Sequence, residues 1–442
     1  MKKILCTVVI GILLAGLTAT AASAQMTTNT SFQVQNLSGS PANVNIAFYD
    51  SSGNQVVAAN VSDTIPGNDS TLYTQSNNAS LPTGFNGSVV VSSDQPVAAI
   101  GIQEAKNAAS TLYYQGTYSG FSAGATTFYL PVIMDSFYGY TTEVSIQNAG
   151  SSNVDVTINY TGGYSDSTTG LKPGAAHRFD NGSTVGIPAN YIGAGTVTAT
   201  GPVVAVVNQN HPTNQEQQTY NGFSTADAAG TLYVPNLMRG FYNFNTSVQV
   251  QNLDSSAQTV TIHFENGTSQ TSPSLAQGAS HLFTQENNTA LPASWIGSAY
   301  LTSSGGGNII AVVNQQNTGT GKASSYNAFA VTGTRFVAPN VMRAFYGFNT
   351  SVQVMNIGAA ASTFTISFPG QAAATQTTPS ALAQYETYLF TQQNNGSLPM
   401  NWNGAAEITS ASGTQQFVVI VNQEGPSGVG DTMMSYNAIA AP

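Results

Sequence analysis

Apolar and polar residues alternate over short stretches at four places along the chain. The apolar positions of these stretches are Val44, Ile46 and Phe48; Val156, Ile158 and Tyr160; Val260, Ile262 and Phe264; and Phe364, Ile366 and Phe368. A period of two is typical of a β-strand with one buried face. Turn signals such as Pro66-Gly67 and Asn86-Gly87 separate the candidate strands. The pattern therefore predicts an all-β protein.

The alternating stretches belong to one unit that occurs four times. The string TSFQVQNL returns as TTEVSIQNA, TSVQVQNL and TSVQVMNI, with its shared asparagine at Asn36, Asn148, Asn252 and Asn356. An aliphatic-Pro-x-x-aromatic-x-Gly motif also recurs, with its aromatic residue at Phe85, Tyr191, Trp295 and Trp402. The predicted repeats are residues 25–125, 126–230, 231–333 and 334–442, which follow a leader at residues 1–24.

About seven short strands in roughly 100 residues, separated by regular turn signals, are typical of an Ig-like β-sandwich. We therefore predict four tandem sandwiches. The main alternative is a β-propeller in which each repeat forms two blades of four strands. The two halves of a repeat do not resemble each other, which favours the sandwich. A solenoid is disfavoured because its repeats are usually about 20–50 residues long.

A second aromatic element lies between the repeats. The strings FYLPVIMDSFYGY, LYVPNLMRGFYNF and RFVAPNVMRAFYGF contain the pairs Phe137-Tyr138, Phe241-Tyr242 and Phe345-Tyr346. Aromatic side chains bury large apolar areas, so we expect these segments to pack between neighbouring repeats. An alternative is that each segment adds a strand to the repeat that follows it. The first repeat would then be one strand short and would have an open sheet edge.

The same aromatic residues allow a second interpretation. Exposed rings beside Asn and Gln could stack on sugars, and this applies to the Phe-Tyr pairs and to Trp295 and Trp402. Packing between repeats and within cores is the first interpretation, and ligand stacking is the second. The recurring Asn-Gln pairs, such as Asn314-Gln315, are expected to form hydrogen bonds at strand ends.

Several of these motifs together carry a resemblance. The Pro-x-x-Met-x-x-Phe-Tyr segment, the Val-x-Val-x-Asn strand, the Pro-Gly turn and the GSVVVSSDQPVAA stretch resemble tandem Ig-like modules of uncharacterised secreted and surface proteins from filamentous and environmental bacteria. The resemblance covers residues 26–442 and implies an exported array, with no activity and no site residues. The second repeat departs from it, with ATGPVVAVV in place of the Ser-Ser-Asp-Gln-Pro run.

The N-terminus predicts export. Lys2 and Lys3 precede an apolar stretch at residues 4–17, and Ala22-Ser23-Ala24 forms a small-residue cleavage pattern. The mature chain is expected to begin at Gln25, to be secreted or placed at the cell surface, and to retain no transmembrane anchor. The single cysteine, Cys6, lies in the leader, so no disulfide is expected.

The charge of the chain and its candidate metal and catalytic motifs restrict the functions that we expect. The chain has 9 Lys and Arg against 19 Asp and Glu, and only 6% of its residues are charged, so nucleic acid is not expected as a partner. The four histidines lack metal-ligand spacing, and the sequence contains no Gly-x-Ser-x-Gly elbow with acid and histidine partners in a plausible order. We therefore predict no catalytic, metal or cofactor site and no enzymatic activity.

The predicted function is that of a secreted structural repeat protein that self-assembles or decorates the cell surface as a fibre, sheath or surface-layer subunit. An adhesin or carbohydrate-binding array is the alternative, and a hydrolase with an unrecognised site ranks last. The expected partners are other copies of the chain, cell-surface or extracellular matrix components, and glycans.

Overall fold

The structure is a computed structural model that describes residues 6–10, 27–107, 112–184 and 186–441. These residues form antiparallel sheets with no α-helix, closed barrel or propeller, so the predicted all-β sandwich class is confirmed and the propeller alternative is not. The described part of the chain also has no helix long and apolar enough to span a membrane. Its 3-10 turns are Val57–Ala59, Gln75–Asn77, Asn181–Ser183, Thr225–Asp227, Ala372–Ala374 and Gln392–Asn394.

The first repeat is a sandwich of two four-stranded sheets. Its strands are β1 (Cys6–Ile10), β2 (Thr27–Asn36), β3 (Ala42–Asp50), β4 (Val61–Ile65), β5 (Ser70–Thr74), β6 (Gly87–Ser93), β7 (Val97–Lys106) and β8 (Leu112–Ser119). One sheet has the order β1-β6-β3-β4 and the other β5-β2-β7-β8. The inward residues of β3 and β6, such as Ile46 and Val91, are almost completely buried between the sheets.

The second and third repeats are built from strands equivalent to those of the first repeat. The strands of each are joined into one larger sheet. The second contains β9 (Ala125–Asp135), β10 (Thr141–Asn148), β11 (Val154–Tyr160), β12 (Tyr164–Leu171), β13 (Ala176–Asp180), β14 (Tyr191–His211) and β15 (Glu216–Asn221). The third contains β16 (Thr231–Phe241), β17 (Phe244–Asn252), β18 (Val260–Phe264), β19 (Ser269–Thr271), β20 (Ser280–Thr284), β21 (Trp295–Ser303), β22 (Ile309–Asn317) and β23 (Lys322–Asn327). β16 continues into β17 through a hairpin, which links the two layers of the third repeat.

The fourth repeat again separates into two sheets. Its strands are β24 (Arg335–Arg343), β25 (Asn349–Asn356), β26 (Phe364–Ser367), β27 (Gln376–Thr377), β28 (Thr387–Thr391), β29 (Trp402–Ser410), β30 (Phe417–Glu424), β31 (Met433–Asn437) and β32 (Ile439–Ala440). The sheet orders are β27-β26-β29-β24-β32 and β28-β25-β30-β31. The four boundaries stay a prediction, but the bridges Ala229↔Ile309 and Gly333↔Phe417 show that pairing with the next repeat begins slightly before the predicted third and fourth repeats.

The chain divides into two compact units. One contains the described residues up to Ile192, together with Thr196–Gly222 and Val429–Asp431. The other contains Gly193–Gly195, Phe223–Gly428 and the described residues from Thr432 onward. Contacts between the first and second repeats, and between the third and fourth, therefore lie within a unit.

The aromatic segments between the repeats form strands of the sheets and are not separate linkers. β16 runs antiparallel to β21, with Leu232 opposite Leu301 and Val234 opposite Ala299. β24 pairs with β29 in the same way, and β9 pairs with β14. Each segment therefore belongs to the sandwich that follows it, as the strand alternative predicts.

A buried tyrosine on the last long strand of a repeat holds its segment in place. The hydroxyl of Tyr220 donates to the carbonyl oxygen of Val132 (2.7 Å), and Tyr436 donates to that of Asn340 (2.6 Å). Tyr326 makes the same bond in the third repeat. All these tyrosines are buried, and burial raises their pKa above the ordinary range, so they remain neutral donors at physiological pH.

The predicted leader lies outside the described residues except for β1. This strand pairs with β6, from Cys6 opposite Ser93 to Ile10 opposite Val89. The predicted cleavage pattern and the predicted mature start at Gln25 also lie outside the described residues.

Candidate functional site

Each aromatic segment ends in a tight β-hairpin with tyrosine at its tip. Phe137 pairs with Tyr140, and Phe345 with Phe348, which leaves two residues in each turn. The third repeat has the same geometry, with Phe241 opposite Phe244. Both turn residues have positive φ, as a type I′ hairpin requires, and the pairs are Tyr138-Gly139 (48° and 83°), Tyr242-Asn243 (47° and 66°) and Tyr346-Gly347 (48° and 84°).

The tyrosine rings at these tips point into solvent. Tyr138, Tyr242 and Tyr346 are 82%, 78% and 83% exposed. The expectation that they pack between repeats is therefore wrong for the tyrosines, although the preceding phenylalanines are half-buried. Asn or Gly usually takes the first position of such a turn. A bulky residue in the left-handed region costs on the order of 1–2 kcal/mol, so its recurrence is an outlier that suggests a function.

The surrounding contacts present all three tyrosines in the same way. Each ring meets the ring of the preceding phenylalanine edge to face, at a centroid distance of 4.7 Å. The residue before that phenylalanine also has positive φ in every copy, at Ser136, Gly240 and Ala344. The backbone N–H of Gly240 donates to Asn245 Oδ1 (2.8 Å), and that of Ala344 donates to Asn349 Oδ1 (2.9 Å). The contact between the tyrosine and phenylalanine rings is thus the same at all three tips.

The two tryptophans have a different environment. Trp295 contacts Phe264 edge to face at 6.0 Å, and Trp402 contacts Phe368 at 5.6 Å. Both phenylalanines are buried, and both tryptophans are partly covered. The glycine two residues after each tryptophan lies under its ring, since a Cβ at Gly404 would come within 2.6 Å of Trp402. The motif therefore closes the core, which favours the packing interpretation for Trp295 and Trp402.

Buried amides join the third repeat to the fourth. Gln315 is fully buried, and its Nε2 lies 3.2 Å from Asn422 Oδ1 and 2.9 Å from Ser435 Oγ, both in the fourth repeat. Asn236 Nδ2 donates to Gln315 Oε1 (2.9 Å). Gln315 is thus an interior group of the interface between the third and fourth repeats. In the first unit, Gln217 Nε2 donates to Gln103 Oε1 (3.0 Å).

A side-chain amide also extends the backbone ladder between neighbouring repeats. Asn221 Nδ2 donates to the Ser119 carbonyl oxygen (2.7 Å) and Asn221 Oδ1 accepts from the Ser119 N–H (2.9 Å). Asn437 makes the same pair of bonds to Asn327, at 2.7 and 3.1 Å. These bonds satisfy backbone groups of β8 and β23 that strand pairing leaves available. Sequence reasoning missed this contact, although the recurring Tyr-Asn dipeptides at 220–221, 326–327 and 436–437 signalled it.

Among its described residues, the first unit contains three buried carboxylates, Glu143, Glu216 and Asp431. Glu143 pairs with Arg178 (3.0 Å) beside a small cavity lined mainly by Asn and Gln side chains. Burial raises the pKa of Glu143, and the Arg178 charge opposes the shift. Across the described ranges, no three His, Cys, Asp or Glu side chains gather closely enough to hold a metal ion. The repeated structural features are therefore the tyrosine tips and the amide contacts.

Comparison with known proteins adds little. No protein-family model matches the chain, and no curated protein matches it. Among solved structures, the chain is similar to the crystal structure of Thermotoga maritima 1070, with 16% identity over 23% of this chain and 94% of that chain, at a TM-score of 0.19. Such a score supports no argument about function. The resemblance to tandem modules of bacterial surface proteins stays a prediction.

Proposed function

We propose that the protein is a secreted structural repeat protein that assembles on or decorates the cell exterior. The observation that supports this most directly is the recurring amide contact between neighbouring repeats. Asn221 and Asn437 join their partners in the same geometry, 216 residues apart in the chain. Both hydrogen bonds of each partly buried amide form in only one arrangement of the two repeats, which favours a single docking geometry. A pair of repeats held in a defined geometry is suited to a structural role.

Localisation and microscopy test this proposal. Antibody labelling of intact cells should detect the protein at the surface, and mass spectrometry should find an N-terminus at Gln25. Negative-stain microscopy of the exported protein should show filaments, sheets or particles of regular spacing. A cytoplasmic protein that keeps Met1 would contradict the proposal.

The tyrosine tips favour a second candidate function, an adhesin or carbohydrate-binding array. A rigid, exposed aromatic ring offers a flat apolar face to a sugar at low entropic cost. Three such tips in one chain act through avidity, because weak binding at one tip raises the effective concentration at the next. The same tips would serve contacts with other extracellular proteins, where tyrosine is a frequent anchor.

A glycan array distinguishes the carbohydrate-binding function from a purely structural role. The combined variant Tyr138→Asn, Tyr242→Asn and Tyr346→Asn keeps residues that tolerate positive φ, so the hairpins should remain folded. It should lose glycan binding at least tenfold. Val57→Ser removes another exposed apolar side chain, 67% exposed, and serves as the control that should bind normally. No binding by the unmodified protein at millimolar sugar would leave the structural role as the better account.

A further inference from the structure

In the first repeat, the strand that pairs with β6 comes from a different source than the equivalent strands of the later repeats. In the later repeats, β9, β16 and β24 fill this position and continue through a tyrosine hairpin into the next strand. In the first repeat the position is filled by β1, Cys6–Ile10, which lies inside the predicted leader. The strand position beside β6 and its counterparts is thus filled in two ways.

β1 follows the same path as the first half of β16. Ile10 pairs with Val89, and Val234 pairs with Ala299, and both partners lie two residues after the glycine of the Pro-x-x-aromatic-x-Gly motif. The ladders run antiparallel in both cases. The edge of β6 therefore defines a register, and a strand that docks there has one way to align.

The occupied positions in the later repeats show which strand this edge accepts. In β24, Val337 is buried together with its neighbours, and β32 pairs with it there. Leu232 and Val234 of β16 are fully buried, and Phe128 and Leu130 of β9 are 2% and 0% exposed. Tyr233, between the first two, is only partly buried. The edge therefore selects a strand with apolar side chains at alternate positions. β6 itself, GSVVVSS, carries no charge that would attract a charged partner.

Export would remove β1. This step rests on the proposed function, in which the leader is cleaved before Gln25. The N–H and C=O groups along the outer side of β6 would then lose their partners, next to the buried side chains of Val89 and Val91. An unpaired edge beside an apolar core is a template for another strand.

We propose that β6 of the exported protein accepts an extended strand from a different polypeptide, with apolar residues at alternate positions and the register of Thr231–Val234. This is recognition by β-augmentation, in which backbone bonds supply affinity and alternate side chains supply specificity. A second copy of this chain is a poor donor, because its β9, β16 and β24 already lie in their own sheets. In the first repeat, Tyr118 occupies the position that Tyr220, Tyr326 and Tyr436 occupy in the later repeats. The donor strand would therefore pass beside Tyr118.

A peptide tests the proposal directly. The probe is a synthetic peptide with the sequence of residues 231–241, and the protein is the exported chain with its N-terminus verified as Gln25. We expect binding at least tenfold tighter than to the same peptide carrying Leu232→Asp and Val234→Asp. Hydrogen exchange at Gly87–Ser93 should slow when the first peptide is added.

A capped variant is the matched control. A copy of residues 231–245 fused ahead of Thr30 supplies the missing strand within the chain, so peptide affinity should fall at least tenfold. Equal binding of the two peptides, or equal binding by the capped variant, would overturn the proposal. Self-association that the capped variant abolishes would also overturn it, because the occupant would be a second copy. An exported chain that keeps residues 6–10 would contradict leader removal, whereas a chain that begins at Gln25 and ignores the peptide contradicts strand acceptance alone.

Discussion

Two aromatic motifs recur in this chain, and the fold uses them in opposite ways. Tyr346 lies at a hairpin tip, 83% exposed, with φ at 48°. Trp402 begins β29 and lies against the buried Phe368, over Gly404. Both motifs place an aromatic residue near a glycine, and both recur in register with the repeats.

The difference lies in what each glycine does. Gly404 makes room for a ring, because a side chain there would collide with Trp402. Gly347 has φ at 84° and instead allows the turn that carries Tyr346. A recurring aromatic residue therefore indicates a core position in one context and a display position in the other.

The largest expected effect comes from removing the Trp402 ring, and removal of the Tyr346 ring is the comparison. Trp402→Ala should lower the free energy of unfolding by about 3 kcal/mol, because it opens a cavity against Phe368. Tyr346→Ala should change it by no more than about 0.5 kcal/mol, because the ring is exposed. Urea denaturation of both variants measures the contrast. Equal losses would break the distinction between a core motif and a display motif.

The glycine under the tryptophan should have a smaller effect. Gly404→Ala places a Cβ 2.6 Å from the Trp402 ring, so the ring must move, at a cost of about 1–3 kcal/mol. Gly396→Ala is the matched control, since nothing lies within 4 Å of its Cβ position and its φ is not in the left-handed region. Thermal unfolding should separate the two variants. A normal melting temperature for Gly404→Ala would show that the ring is loosely held.

Replacing Tyr346 with asparagine should have a small effect of the opposite sign. Tyr346→Asn creates the Asn-Gly pair that type I′ turns favour, and should raise the free energy of unfolding by about 0.5–1 kcal/mol. Chemical denaturation measures this gain, and a binding assay should detect a loss at the same tip. Destabilisation by this variant would mean that the Tyr346 ring supports the fold and is not there for display.

Much of the fold could be predicted because its repeats are visible in the residues. The alternation at Val260, Ile262 and Phe264 predicted a half-buried strand, and all three side chains are buried in β18. The packing interpretation of Trp295 and Trp402 also agrees with their contacts. The amide contact of Asn437 was missed, because a single polar residue at the end of a strand looks the same in the sequence whether its partner is water or a neighbouring repeat.

By itself, the sequence determined the all-β class, the fourfold repetition and the faces of the main strands, because a period of two depends only on local geometry. The tertiary structure decided which sheet each segment joins and which aromatic residues reach solvent. Local pattern cannot supply these answers, since the apolar positions of β16 read the same whether they pack between two repeats or complete one. Burial of Leu232 opposite Leu301, and exposure of Tyr242 ten residues later, depend on partners that are distant in the chain.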